Sequence, residues 1–353
     1  MNNALKDKTL LIRADGNEII GAGHLMRCFS IAQGFMREGG KVVLLTVPGL
    51  PAIEERMINS GISIRHLCIS EESESDINET LHLSEQIGPD WIILDGYHFN
   101  GSFHSELKKA GNKVLLMDDH GSLDYYAADL ILNQNIYANP DMYDAKYINS
   151  NLLMGCKYSC LREEFVKWIG WKRPKSVDVK KIIITLGGAD PDNMTLKIIQ
   201  ALKSLDDSGL HVTVIVGAGN QYIDILKESA IEVPFNVEIA INVQDMPELI
   251  TSSDLAISAG GSTCWELAFL GLPSLIIVMA DNQIQVAKRL EELGVAKNLG
   301  WHEDVSELDI VNATLSLIKN TDERHKMSEL GQEFVDGKGT SRVIEQMCMG
   351  MSV

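Results

Sequence analysis

Short unbroken runs of Ile, Val and Leu alternate with helical stretches along this 353-residue chain, and the whole series occurs twice. The first-half runs are 9–14, 41–47, 63–69, 91–94, 114–117 and 130–132. The second-half runs are 181–186, 212–216, 237–241, 255–258 and 274–278, with a weaker one at 296–299. They are apolar at successive positions rather than at every second one, the pattern of strands buried on both faces in a parallel sheet. Between them the period is helical. Leu25, Cys28, Phe29, Ala32, Phe35 and Met36 make one stripe, which Gly39-Gly40 stops. Strand and helix in repeated alternation predict a doubly wound α/β architecture. A glycine, a proline and clustered charge at 168–179 interrupt the series. The expectation is two Rossmann-type parallel-sheet domains, 1–172 and 173–353, with a ligand cleft where they face.

The composition narrows the partners. With 45% hydrophobic and 23% charged residues the chain is globular, and its net charge of −18 disfavours nucleic acid and anionic membrane surfaces. No apolar run approaches the roughly 18 residues of a membrane span, and no leader pattern precedes the first strand, so a cytoplasmic protein is expected. Six scattered cysteines read as reduced thiols. Cys156 and Cys160 lack the His or second Cys pair of a zinc site, and neither metal nor cofactor is expected. The acidic run 71–76 reads as a solvated loop without a role.

In open α/β sheets ligands bind beyond the carboxyl ends of the strands, so the loops after strands carry the chemistry. The first is Arg13-Ala-Asp15, continuing to Gly21-Ala-Gly23-His24-Leu-Met-Arg27-Cys28. It is not a dinucleotide fingerprint, because Met26 stands at the third glycine position and no acidic residue follows the second strand. His24 falls in the first helical turn, where the helix dipole favours a neutral ring, and a neutral imidazole is a competent general base. Asp95-Gly-Tyr97-His98, Asp118-Asp119-His120 and Asn133-Gln-Asn135 each follow a strand. Three consecutive polar strand ends suggest a hydroxyl- or amide-rich ligand such as a sugar. In the second half, Gly187-Gly188-Ala189-Asp190 and Gly260-Gly261-Ser262-Thr263 are glycine-rich turns running into helices, a phosphate-binding design without a Walker lysine. Glu266, one turn on, suits a ribose diol.

The second half resembles the nucleotide-binding half of GT-B enzymes that use UDP-sugars. Ser262-Thr263-x-x-Glu266 and Ala280-x-Asn282-Gln283 are similar to segments of the lipid II N-acetylglucosaminyltransferase. The first half differs from that transferase. Its Gly-x-Gly-His-x-x-Arg-Cys loop, Asp95-x-Tyr97, Asp118-Asp119 and the segment Leu153 to Arg162 resemble the UDP-2,4-diacetamido-2,4,6-trideoxy-β-L-altropyranose hydrolases of pseudaminic acid synthesis. The resemblance implies a GT-B-like fold whose last helix, about 341–349, packs back on the first domain. It implies inverting hydrolysis at the anomeric C–O bond, with His24 as base for water. Arg13, Asp15, Gly21, Gly23, Arg27, Tyr97, Asp118, Asn135 and Arg162 would line the sugar side. Gly188, Ala189, Gly260, Gly261, Ser262, Thr263, Glu266, Asn282 and Gln283 would hold UDP. The alternatives are a UDP-sugar glycosyltransferase of the same fold, a hydrolysing 2-epimerase and a non-catalytic nucleotide-sugar-binding regulator.

Overall fold

The structure, a computed structural model, describes all residues except 1–3, 18–19, 68–73, 144–149, 189, 206–207, 218–219, 242 and 352–353; of residues 74 and 75 it describes the backbone. The chain divides into two compact units, Met1–Glu163 with Gly337–Val353, and Glu164–Asp336.

In the first unit, in chain order, come β1 (Thr9–Ala14), α1 (Gly23–Arg37), β2 (Lys41–Thr46), α2 (Pro51–Asn59), β3 (Ser63–His66), α3 (Glu74–Ile87), β4 (Trp91–Asp95), α4 (Gly101–Lys109), β5 (Val114–Met117), β6 (Leu130–Asn133) and β7 (Asn151–Met154). The strands form one parallel sheet in the order β3-β2-β1-β4-β5-β6-β7. Successive side chains leave opposite faces, so both faces are apolar. Leu10 and Ile12 join one layer with Phe29 and Phe35 of α1, while Leu11 joins the other with Leu83 of α3 and Leu107 of α4. Strand β7 was not expected from sequence. It lies at the sheet edge and buries only Leu153, so it lacks a continuous apolar run. The expected run 63–69 is a strand only through His66, and its residues 68–69 lie outside the described ones.

The second unit holds β8 (Lys181–Thr185), α5 (Met194–Lys203), β9 (His211–Val216), α6 (Ile223–Ile231), β10 (Asn236–Ile241), α7 (Met246–Ser252), β11 (Leu255–Ala259), α8 (Thr263–Phe269), β12 (Ser274–Val278), α9 (Ile284–Glu292), β13 (Lys297–Trp301), α10 (Glu307–Lys319) and α11 (Thr321–Phe334). Its parallel sheet runs β10-β9-β8-β11-β12-β13. Residues 164–172 pack here rather than with the first half. The Phe165 ring lies 6.2 Å from that of Phe269, and Lys167 pairs with Asp245 at 2.9 Å. Arg173 then donates to the carbonyls of Ile250, Ser253 and Leu270, pinning the ends of α7 and α8. The final helix, α12 (Gly339–Met351), returns to the first unit. A Cβ on Gly34 of α1 would lie 2.6 Å from the Thr340 methyl, so glycine permits that close helix crossing. Trp91 Nε1 donates to the Met347 carbonyl at 3.1 Å. Among the described residues, no helix is long and apolar enough to cross a membrane.

Candidate active site

Each sheet reverses its strand order once, between β1 and β4 in the first unit and between β8 and β11 in the second. Loops leaving the carboxyl ends of such neighbours diverge to opposite faces and open a crevice at the sheet edge. In the first unit the loop after β1 carries His24 and the strand β4 ends in Asp95, which lies in register with Ala14.

That register brings the two side chains together. His24 Nδ1 lies 2.6 Å from Asp95 Oδ1. Arg27, one helical turn beyond His24, donates Nε to Asp95 Oδ2 at 2.7 Å and Nη2 to Oδ1 at 2.6 Å. Its Nη1 donates to both oxygens of Asp119, at 2.8 and 3.0 Å. Burial alone would raise the Asp95 pKa, but Arg27 and His24 overcome it and hold the carboxyl well below the usual carboxylate range. Asp119 is lowered in the same way, against its burial, chiefly by Arg27. An ionised Asp95 accepts from Nδ1–H, which leaves the Nε2 lone pair of a neutral His24 ring pointing away from Asp95. The helix dipole expected to act on His24 is therefore not the only field at the ring. The buried Asp95 carboxylate and the Arg27 guanidinium, whose Nη2 lies 3.3 Å from Nδ1, both stand beside it.

Around this pair the loops interlock. Tyr97 lies edge-on to the His24 ring, with centroids 4.9 Å apart, and donates its hydroxyl to Asp119 Oδ2 at 3.0 Å. Its ring remains 53% exposed, whereas the His24 side chain is 11% exposed. Asn135 Nδ2 donates to Asp119 Oδ1 at 2.7 Å, and the Asp119 carbonyl accepts from Tyr137 and Asn133. Gly21 takes φ +75°, and its amide closes a tight turn onto the Asn17 carbonyl. Gly23, at the start of α1, is exposed.

Of the residues expected on the sugar side, Arg13, Asp15 and Arg162 are buried and Asp118 is half-buried. Arg13 is wholly buried, bound to Asp15 at 2.5 Å and bidentately to Asp76 at 3.0 and 2.7 Å. Asp15 also accepts from the Val47 amide and the Thr46 hydroxyl, so it ties β1 to β2. Asp118 accepts from the amides of His120 and Gly121 and from the Tyr126 hydroxyl, which makes it the organiser of its own turn. Arg162 is buried next to Leu161, whose carbonyl accepts from Thr340 of α12. The acidic run 71–76 is also corrected at its end. Residues 71–73 lie outside the described ones, but Asp76 is a buried partner of Arg13 in α3.

In the second unit the two glycine-rich turns differ. At α5, Asp190 takes φ +46° and accepts from the amides of Met194 and Thr195, each at 2.9 Å, so the helix start is filled by its own carboxylate. Gly188 packs against a neighbouring main chain, since a Cβ on Gly217 would lie 2.4 Å from its carbonyl oxygen. Ala189 lies outside the described residues. At α8, Ser262 makes no side-chain cap. Gly261 has open space where a Cβ would stand, Ser262 is exposed, and Thr263 and Glu266 are half-buried. Gln283 Oε1 accepts from the amides of Gly260 and Met279, both at 3.0 Å, and so staples the turn to the end of β12. This commits the Oε1 of Gln283, a residue expected to hold UDP, while the neighbouring Asn282 is exposed. Among the described residues, no group of three His, Cys, Asp or Glu could hold a metal ion.

Residues 182–340 match the glycosyltransferase family 28 C-terminal domain. The solved structure of MurG from Acinetobacter baumannii superposes with a TM-score of 0.68 at 16% identity, covering 96% of this chain and 99% of that one. The chain has the GT-B fold. Among curated relatives, an uncharacterized protein of Methanocaldococcus jannaschii is 27% identical over 78% of this chain and 56% of its own length. The pseudaminic acid cytidylyltransferase and UDP-2,4-diacetamido-2,4,6-trideoxy-β-L-altropyranose hydrolase of Helicobacter pylori is 28% identical over 60% of this chain. The match spans 38% of that relative, so both relatives are matched over little more than half their length or less.

Sequence reasoning placed Asp95, His98 and Asp119 on ligand-facing strand ends without an individual role, and gave Asp76 none. The available signal was the place of Asp95 as the last residue of a buried strand, and the spacing of Arg27 one turn after His24.

Proposed function

We propose that the protein hydrolyses a UDP-linked 2,4-diacetamido-2,4,6-trideoxy sugar at its anomeric carbon, releasing UDP and the free sugar with inversion. The observation that carries this reading is the 2.6 Å contact between His24 and a buried, ionised Asp95. Asp95 sets the tautomer, and Nε2 takes a proton from water as the water oxygen bonds to C1. The C1–O bond to the β-phosphate breaks, and its electron pair leaves with UDP. Asp95 stabilises the imidazolium that forms. UDP is a good leaving group, so a second carboxylic acid is not required, unlike ordinary glycoside hydrolysis.

The exposed Tyr97 ring beside His24 suits a sugar face. The uncapped turn at Gly260 to Thr263, with Glu266, suits a diphosphate and ribose. The pseudaminic acid relative supplies the sugar class. The family 28 domain supports UDP-sugar chemistry generally, and a glycosyltransferase is the second reading.

The test is UDP release from UDP-diacetamido sugars in oxygen-18 water with no acceptor present. Label in the sugar and a kcat lowered on the order of 10³-fold in His24→Asn, with UDP affinity kept, is the expected result. UDP release only when an acceptor is added would establish the transferase instead.

A further inference from the structure

We propose that His98 is a positioning residue: as an imidazolium it completes a buried charge cluster with Arg13, Asp15 and Asp76, and so fixes the β4–α4 loop that carries Asp95 and Tyr97. The inference deepens the proposed function, because that loop leaves the strand at Asp95, the partner of the proposed base.

Charge balance is the starting point. Arg13 is wholly buried and faces two carboxylates that are 2% exposed, Asp15 and Asp76. One guanidinium and two carboxylates leave one negative charge in a buried setting, which is costly unless another cation neutralises it. Asp15 Oδ1 is taken by Arg13, Val47 and Thr46, while its Oδ2 is buried without a hydrogen-bond partner. His98 Nε2 lies 3.8 Å from that oxygen and 3.8 Å from Asp76 Oδ2. A proton on Nε2 brings the cluster to neutrality and faces the orphaned oxygen. Among the described residues, the charged groups facing this cluster are Arg13 on β1, Asp15 in the loop after it, and Asp76 on α3.

The ring is also held mechanically. A Cβ on Gly96 would lie 2.8 Å from His98 Cε1, so only glycine lets the ring lie back against its own loop. The Phe99 ring stacks 4.0 Å from it, and the Arg13 guanidinium carbon stands 5.3 Å from the Phe99 centroid. Asp95, Tyr97 and His98 fall within four consecutive residues. An anchor at His98 therefore acts directly on the two side chains that meet His24.

The deciding measurement is the ring titration of His98 by NMR in the full wild-type chain. It needs no substrate and no variant. The expected result is an ionisation above the ordinary histidine value of about 6.5. A ring that titrates at or below that value overturns the proposal.

The thermal stability of wild type and His98→Gln from pH about 6 to about 9 gives a second reading. A histidine charged in the folded state contributes stability at low pH and loses it as pH rises through its folded ionisation. The wild-type advantage in Tm should therefore shrink by roughly 2 to 4 °C across this range. A constant advantage indicates shape alone and overturns the charge.

For the positioning claim, His98→Gln should lower kcat about tenfold with little change in KM, a loss of about 1.4 kcal/mol in the transition state. An unchanged kcat beside a raised His98 ionisation overturns positioning. Absence of UDP release in wild type counts against the hydrolase reading and leaves the titration result intact.

Discussion

The two sheets reverse direction at equivalent places and furnish those places in opposite ways. At the β1/β4 reversal the chain delivers side chains: an imidazole, a guanidinium and the Asp95 carboxylate, joined by Asp119 from beyond β5, all locked by bonds of 2.6 to 3.0 Å. At the β8/β11 reversal the loops deliver main chain, with two glycines and an uncapped helix start stapled by one glutamine. Fixed side-chain charge suits moving a proton, while amides at a helix start suit holding an anion. The comparison teaches that one topology supplies a place, and under the proposed function the residues put there divide reaction from retention.

The largest expected effect lies in the first unit. Asp95→Asn keeps the shape but replaces the charge and one acceptor oxygen with an NH2 donor, so the His24 tautomer is no longer fixed, and kcat should fall on the order of 10³-fold with UDP affinity unchanged. Arg27 then faces a neutral amide, so the variant should also lose about 3 kcal/mol of stability. Steady-state kinetics, UDP calorimetry and circular dichroism separate the two effects. A kcat within about threefold of wild type would show that the dyad does not carry the reaction, and the division between the units would fail.

The same contrast explains what the sequence revealed. Apart from β7, the strands of both sheets and the stripe on α1 were legible because apolar runs and helical period are local patterns. The pair His24 and Asp95 is separated by 71 positions and exists because β4 lies beside β1, an order no local pattern encodes. Asp76 looked solvated because its neighbours are acidic and polar; its burial depends on Arg13, 63 positions away. Asp190 concealed its role differently. A glycine-rich turn into a helix reads as an anion site until the carboxylate inside it is seen to take the amides.

Acid should distinguish the units next. His104 of α4 is buried, and burial pushes its pKa down to about 4, which the Phe99 backbone and the Asp118 charge offset only in part. The unfolded chain binds this proton near pH 6.5, so the stability conferred by the neutral ring is complete above that pH and is lost as pH falls towards 4. The loss amounts to about 3 kcal/mol. Amide hydrogen exchange should show α4 and β5 opening before β11 and β12 on acidification, and His104→Leu should reduce the difference. Equal acid sensitivity in both units, or no change in the variant, would remove His104 as the cause.

A smaller effect tests the difference between the glycine-rich turns. Asp190→Ala removes two amide bonds at the start of α5 and should cost about 1 to 2 kcal/mol of stability, read as a lower Tm. UDP affinity should stay within about twofold, because the carboxylate already fills the place an anion would take. A tenfold weakening of UDP binding would make this turn a nucleotide contact and erase the asymmetry with α8.

The smallest effect concerns the staple itself. Gln283→Ala frees the amides of Gly260 and Met279, which can turn to water, so the loss should be near 1 kcal/mol, roughly fivefold in UDP affinity. The kcat should hardly move, since His24 and Asp95 are untouched. Gln283→Glu sharpens the point. It keeps an acceptor for both amides and therefore the loop, but adds a negative charge beside the Gly260 turn. If that turn holds phosphate, Tm is preserved in Gln283→Glu while UDP affinity falls further than in Gln283→Ala, and the excess shrinks as salt screens the repulsion. Equal affinities in the two variants would mean that no phosphate approaches the turn, and retention would have to be sought elsewhere on the second sheet.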